Sequence, residues 1–239
     1  MNHILTPNAI AVIGRGRVGT LLSAALGTAA PLGRDTSPPP GCHVVILAVP
    51  DAAIAGLAAS LEPGPAVGHC SGALGLDALA PHVERFSLHP LMTVTERSRP
   101  ADLRGAGAAI AGSTPEALAL ARSLAGRAGL EAFTIAEDDR ALYHAAASVA
   151  SNFLVTLEAV AERLFAAVGV ERRHAATLAR ASLENWAALG GARALTGPIA
   201  RGDGATVVRQ RAALATHAPE TLGVFDALAD ATRALAAQR

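Results

Sequence analysis

The chain contains no lysine, and all 20 of its basic residues are arginine. This excludes every mechanism in which a lysine serves as acid, base or Schiff-base former. Aromatic residues make up only 3% of the sequence. Alanine takes their place, which favours helices that pack closely. The two cysteines, Cys42 and Cys70, fit no metal-ligand spacing and suit a reduced cytoplasmic protein. An excess of one charge is also missing. Twenty basic residues balance 20 acidic ones with no run of like sign, which argues against a nucleic-acid binder or a polybasic membrane binder. No apolar run reaches the roughly 18 residues that a membrane-spanning helix needs. The longest candidate, 145–160, is broken by Ser148, Ser151, Asn152 and Glu158. The start of the chain lacks a basic stretch followed by an apolar one, so no secretion signal is expected. The expected partner is a small-molecule substrate, with no nucleic acid, no membrane and no metal.

What is present is an apolar fraction of 51% in 239 residues, enough for a substantial core. The first half alternates short apolar runs with helical spacing. Strands are expected at 8–14, 29–33, 43–49, 66–70, 85–89, 108–111 and 130–135. Helices are expected at 18–26, 51–61 and 115–128, with Asp51 a plausible N-cap of the second and Ser113 or Thr114 of the third. Residues 43–49 (HVVILAV) form a continuous β-branched run of the kind that parallel strands show. From 137 onward only helical spacing remains, interrupted at Gly169, Gly190–Gly191, 196–198 and 202–204. The fold class expected is therefore α/β: a doubly wound parallel sheet of Rossmann type over 1–136, then an all-helical domain over 137–239.

Gly14-Arg15-Gly16-Arg17-Val18-Gly19 forms a GxGxxG that follows an expected strand and opens an expected helix, the context a dinucleotide fingerprint requires. The glycines permit a tight turn and close approach of a pyrophosphate. The helix N-terminus then offers free N–H groups to the anion. About 20 residues on, NAD sites usually carry an acid for the ribose 2′-hydroxyl. Here the sequence reads Gly33-Arg34-Asp35-Thr36-Ser37. Arg34 can pair with a 2′-phosphate, and Thr36 and Ser37 can donate to it, which favours NADP. Asp35, if turned inward, would favour NAD. Ala48, Val49 and Pro50, at the carboxyl end of an expected strand, should line the same cleft.

Polar residues recur at two further strand ends, His69-Cys70-Ser71-Gly72 and Ser87-Leu88-His89-Pro90. A histidine there can exchange a proton with a substrate while hydride moves, and a serine can orient the same atom. Either histidine alone could equally be structural. In the helical domain, His144, Ser148 and Asn152 are spaced four apart and share one helix face, with Ser151 beside it. Such a stripe is costly to bury unless it faces a site or cross-links helices. Residues 195–203 (LTGPIARGD) break the helical pattern, and there Thr196 and Arg201 could meet a substrate carboxylate or simply form a turn.

The stretches VIGRGRVGT, VVILAVPDAAI, HCSGALGLDAL, SLHPLMT, EDDRALYHAAASVASNFLVTL and LTGPIARGD together closely resemble a family of bacterial Rossmann-like proteins. Their C-terminal helical domain is a domain of unknown function, DUF2520. The wider architecture is similar to the 6-phosphogluconate dehydrogenase-like superfamily, which includes pyrroline-5-carboxylate reductase, ketopantoate reductase and prephenate dehydrogenase. Prephenate dehydrogenases carry a serine at one strand end and His-Pro-Met at the next. Ser71 and His89-Pro90-Leu91 match, with leucine for methionine. Where ketopantoate reductases use a lysine, this chain offers His144 or Ser148. The resemblance implies an NADP(H)-dependent reductase of a small oxo acid or imine, and a homodimer formed through the helical domain. In that reading His89 donates the proton, Ser71 orients the substrate, and His144 and Asn152 close the cleft. The alternatives are an NADP(H)-binding sensor without catalysis and a prephenate dehydrogenase-like enzyme.

Overall fold

A computed structural model describes residues 6–238. The chain forms two compact units, 1–151 and 152–239. The first is built on six strands: β1 (Ile10–Ile13), β2 (Val44–Leu47), β3 (Ala66–His69), β4 (Arg85–Pro90), β5 (Gly107–Gly112) and β6 (Glu131–Thr134). They lie side by side in chain order, all parallel except for the antiparallel pair β4–β5.

The apolar runs form buried strands because helices cover both faces of the sheet, so neither alternate set of side chains meets water. Ile10, Val12, Val44 and Ile46 face one way, against Leu22 and Leu26 of α1 (Arg17–Leu26) and Ala121 and Leu124 of α3 (Pro115–Arg127). Ile13, Val45 and Leu47 face the other way, against Ile54 and Ala58 of α2 (Asp51–Ser60). This is the Rossmann-like α/β arrangement expected, with one antiparallel pair in an otherwise parallel sheet.

Two local expectations are corrected. Residues 29–33 do not form a strand. Only Leu32 pairs, through a single parallel bridge to Ile13, because Pro31 has no N–H to give and the small residues around it have little strand preference. Asp51 is not the N-cap of α2. Pro50 holds that position, and Asp51 is the first helical residue. Thr114 does cap α3, accepting a hydrogen bond from the Ala117 N–H at 3.0 Å.

Leu32 lies on one side of β1 and β2 on the other. The chain therefore switches sides at the carboxyl end of β1, where open α/β sheets bind ligands. Register then aligns the strand ends. Ile13 pairs with Leu47, Leu47 with His69, and His69 with Ser87. Two residues further along, Arg15, Val49 and Ser71 have left the sheet, while His89 is still in β4, paired with Ala109 of β5.

The pattern does turn helical at 137, yet α4 (Arg140–Ser148) groups with the sheet unit. Arg140 anchors it there, its buried guanidinium donating to Ser87 Oγ at 2.9 Å. A wide π turn, Val149–Phe153, follows. The second unit holds α5 (Leu154–Ala167), α6 (Arg172–Leu189), α7 (Gly191–Ala194), α8 (Gly197–Ala200), α9 (Gly204–His217) and α10 (Leu222–Ala236). Among the described residues no helix is long and apolar enough to cross a membrane.

Candidate functional site

A cavity of about 530 Å³ opens at the carboxyl end of the sheet, lined wholly from the first unit. One wall is the glycine-rich turn. Gly14 has φ +125°, and a side chain there would collide with the Ala48 carbonyl, so the turn tolerates only glycine. Gly19 packs as closely on the Gly14 carbonyl, drawing α1 onto the strand. Gly16 differs. A Cβ there would meet nothing within 4 Å, which leaves room for a ligand beside the backbone. Gly16 is also the N-cap of α1 and offers no side chain to its free N–H groups. Gly16, Arg17 and Val18 line the cavity, and Ala48, Val49 and Pro50 face them. A pyrophosphate fits this cradle on three counts: the open glycine, the uncapped helix start and the absence of a nearby carboxylate in the turn. Arg34 and Thr36 do not line the cavity; both stand exposed on the loop after Leu32.

The opposite wall carries the polar strand ends, and it separates the two histidines. His69 is fully buried. Its Nδ1 accepts the Ser71 N–H at 3.2 Å, so its Nε2 carries the proton and donates to the Gly75 carbonyl at 3.2 Å. Burial lowers its pKa. Both ring nitrogens are used within the loop, and His69 is structural.

His89 lines the cavity. Its Nδ1 lies 2.7 Å from the Tyr143 hydroxyl, with the rings edge to face. The His144 ring stands 6.2 Å away, centre to centre. Burial first, and then the neighbouring His144, push the His89 pKa down to about 4. Gly72 makes room for both rings: a Cβ there would lie 2.9 Å from His89 Nε2 and 2.8 Å from His144 Cδ2.

Ser71 donates its hydroxyl proton to Asp51 Oδ2 at 2.8 Å and accepts N–H bonds from Ala73 and Leu74 at 3.2 and 3.0 Å. Its one donor is therefore spent on Asp51, whose carboxylate stands on the cavity wall. Cys70 also lines the cavity, and burial pushes its thiol up to about 12, which keeps it an inert thiol.

Asp51, Tyr143 and Arg140 lie outside the site residues that the sequence singles out, Asp51 being read there only as a helix cap. For Asp51 the signal was an acid opening a helix at the sheet's carboxyl edge. For Tyr143, the only tyrosine in the chain, it was adjacency to His144. For Arg140 the only local signal was Glu137 three residues before it, which accepts from Nε at 2.8 Å; its other partner, Ser87, follows from the tertiary fold.

The helical stripe is only partly realised. His144 lines the cavity. Ser151 donates back to the Ala147 carbonyl at 2.7 Å within its own helix. Asn152 falls within the π turn Val149–Phe153, so the α-helical spacing that the stripe assumes does not hold there. Asn152, Thr196 and Arg201 belong to the second unit. Thr196 precedes α8, and Arg201, exposed, ends it.

The family model for DUF2520, a domain of unknown function, matches residues 107–232. No curated protein matches the chain. Among solved structures, a Bacteroides fragilis protein provisionally named an NADP oxidoreductase superposes with a TM-score of 0.82 at 17% identity, covering 95% of this chain and 99% of its own. The 1-pyrroline-5-carboxylate reductase of Streptococcus pyogenes gives 0.65 at 16% identity, over 94% and 98%. The pyrroline carboxylate reductase of Plasmodium falciparum, with NADP bound, gives 0.59 at 12% identity, over 95% and 98%.

Proposed function

The chain belongs to the DUF2520 family, and on that premise we propose that it is an NADP(H)-dependent oxidoreductase acting on a small imine or oxo acid. The observation that carries the reading is the cradle at Gly16, open and uncapped, in one cavity with Val49, Pro50 and His89. The names of the pyrroline carboxylate reductases and of the Bacteroides fragilis protein agree with it. The backbone of the 14–19 turn would hold the pyrophosphate of the cofactor, and Ala48, Val49 and Pro50 its ribose and nicotinamide. When bound, the cofactor supplies the hydride.

The chain's own residues narrow the substrate. With a pKa near 4, His89 is neutral at physiological pH. Nδ1 pairs with the Tyr143 hydroxyl, which leaves Nε2 as the ring nitrogen for the substrate. A neutral imidazole can still hydrogen-bond a substrate through Nε2, accepting from a protonated imine or donating to a carbonyl, but it is a weak acid. This favours an imine, which takes its proton from water before reduction, over an oxo acid, whose oxygen must gain one as it is reduced. Asp51 complements the positive charge of a protonated imine. Ser71 acts one step back, by fixing the Asp51 carboxylate. In the assay that tests this reading, NADPH oxidation is followed with matched cyclic imines and oxo acids. Faster turnover of the imines is expected, and turnover of oxo acids alone would overturn the preference.

The helical unit carries a second proposal, self-association. Phe153, Leu178 and Trp186 are 57%, 60% and 61% exposed, and α5 buries none of its residues. Apolar exposure on this scale in a soluble chain marks a contact surface, and a second copy of the same unit is the occupant proposed. Light scattering should give twice the 24.0 kDa chain mass; a single chain mass at assay concentration would rule the homodimer out.

A further inference from the structure

We propose that Arg15 is a cofactor-specificity residue, forming with Arg34 and Thr36 a seat for the 2′-phosphate of NADP(H). The inference rests on the cofactor reading above and assigns a role that the fingerprint does not, since the second position of a GxGxxG is ordinarily a spacer. The Arg15 side chain turns away from the α1 start and crosses to the loop after Leu32. Its Nε donates to the Pro31 carbonyl at 3.4 Å. The guanidinium then lies over Gly33: a Cβ on Gly33 would stand 3.6 Å from Arg15 Cζ, 3.7 Å from Nη2 and 3.3 Å from Thr36 Oγ1.

That location decides the chemistry. Gly33 closes the segment that bridges to β1, about 20 residues after the first fingerprint glycine, where an NAD site places its acid. Here the position has no side chain, and the groups nearest to it are a guanidinium and a hydroxyl. A ribose hydroxyl would find no carboxylate there, whereas a phosphate would find a guanidinium and a hydroxyl to donate to it. The tether to Pro31 uses Nε and leaves both Nη groups of Arg15 for a bidentate phosphate contact. Arg34 stands exposed on the same loop. Among the described residues neither arginine is held by a carboxylate. Asp35 is exposed, and it is not among the atoms nearest to Gly33.

The experiment titrates NADPH, NADH and 2′,5′-ADP against the full-length wild type, Arg15→Ala, Arg15→Lys and Arg34→Ala. Circular dichroism confirms that each variant is folded. Arg15→Ala should lose roughly tenfold to a hundredfold in affinity for NADPH and 2′,5′-ADP, the worth of a charge-assisted hydrogen bond, with NADH little changed. Arg15→Lys should recover part of the loss, because it keeps the charge without the fork. Equal weakening of NADPH and NADH by Arg15→Ala would make Arg15 a pyrophosphate or loop residue and overturn the proposal. So would an unchanged Arg15→Ala. If Arg34→Ala alone erases the preference for NADPH, the cofactor reading stands and this inference falls. If the wild type prefers neither cofactor, the choice of NADP and this inference fall together.

Discussion

Replacing Gly16 by valine should reduce NADPH affinity by at least about a hundredfold while leaving the circular dichroism spectrum and melting temperature near those of the wild type. The magnitude is that of two lost charge-assisted hydrogen bonds, each worth about 1.5–3 kcal/mol. The structure makes this substitution informative. Gly16 has φ −75°, which any residue adopts, and the space its side chain would enter is empty of protein. A valine there disturbs the ligand and not the fold. Gly14→Val is the contrasting variant. With φ +125° and the Ala48 carbonyl in the way, it should lower the melting temperature whether or not cofactor is present. Undiminished NADPH affinity in Gly16→Val would reduce the fingerprint to a turn.

His89→Asn should lower turnover by about a hundredfold to a thousandfold with cofactor affinity nearly intact, the usual cost of removing one preorganised hydrogen-bonding group at the reacting atom. Tyr143→Phe should cost about tenfold or less, since it removes one neutral hydrogen bond that orients the His89 ring. The pH profile separates two roles for the histidine. A group whose pKa is held near 4 stays neutral from about pH 5 upward, so His89 should contribute no ionisation near the ordinary histidine value. Activity that depends on the neutral ring should fall only as pH drops through about 4. An ionisation near 6.5 that vanishes in His89→Asn would instead make it a cationic acid. If His144→Asn is crippled and His89→Asn is not, the donor is on α4. If neither matters, both histidines are structural and a cofactor-binding sensor becomes the better account.

The parts of this arrangement that are local in sequence were legible from it. The fingerprint glycines, the strand–helix alternation and the glycine breaks of the helical unit depend on spacing and backbone preference over a few residues. What long-range contacts decide was not. His69 and His89 look alike as strand-end histidines. They part only because the Gly75 carbonyl and the Ser71 N–H take both nitrogens of the first, while Tyr143, on a distant helix, meets the second. The Ser71 hydroxyl reads as a substrate contact until Asp51 is found to hold its proton. Arg15 reads as one residue of the fingerprint until its side chain is found against Pro31 and Gly33. The stripe from His144 to Asn152 assumes a regular helix, and one wide turn breaks it. The end of the sheet unit likewise follows the anchoring of Arg140 on Ser87 and not the change of pattern at 136.

The central claim is that the cavity at Gly16 takes a phosphorylated nicotinamide cofactor, and equilibrium titration of the wild-type protein with NADPH tests it most directly. Saturable binding of one NADPH per chain is expected, competed by 2′,5′-ADP and at least about tenfold tighter than binding of NADH. No saturable binding of either cofactor up to about millimolar concentration would contradict it.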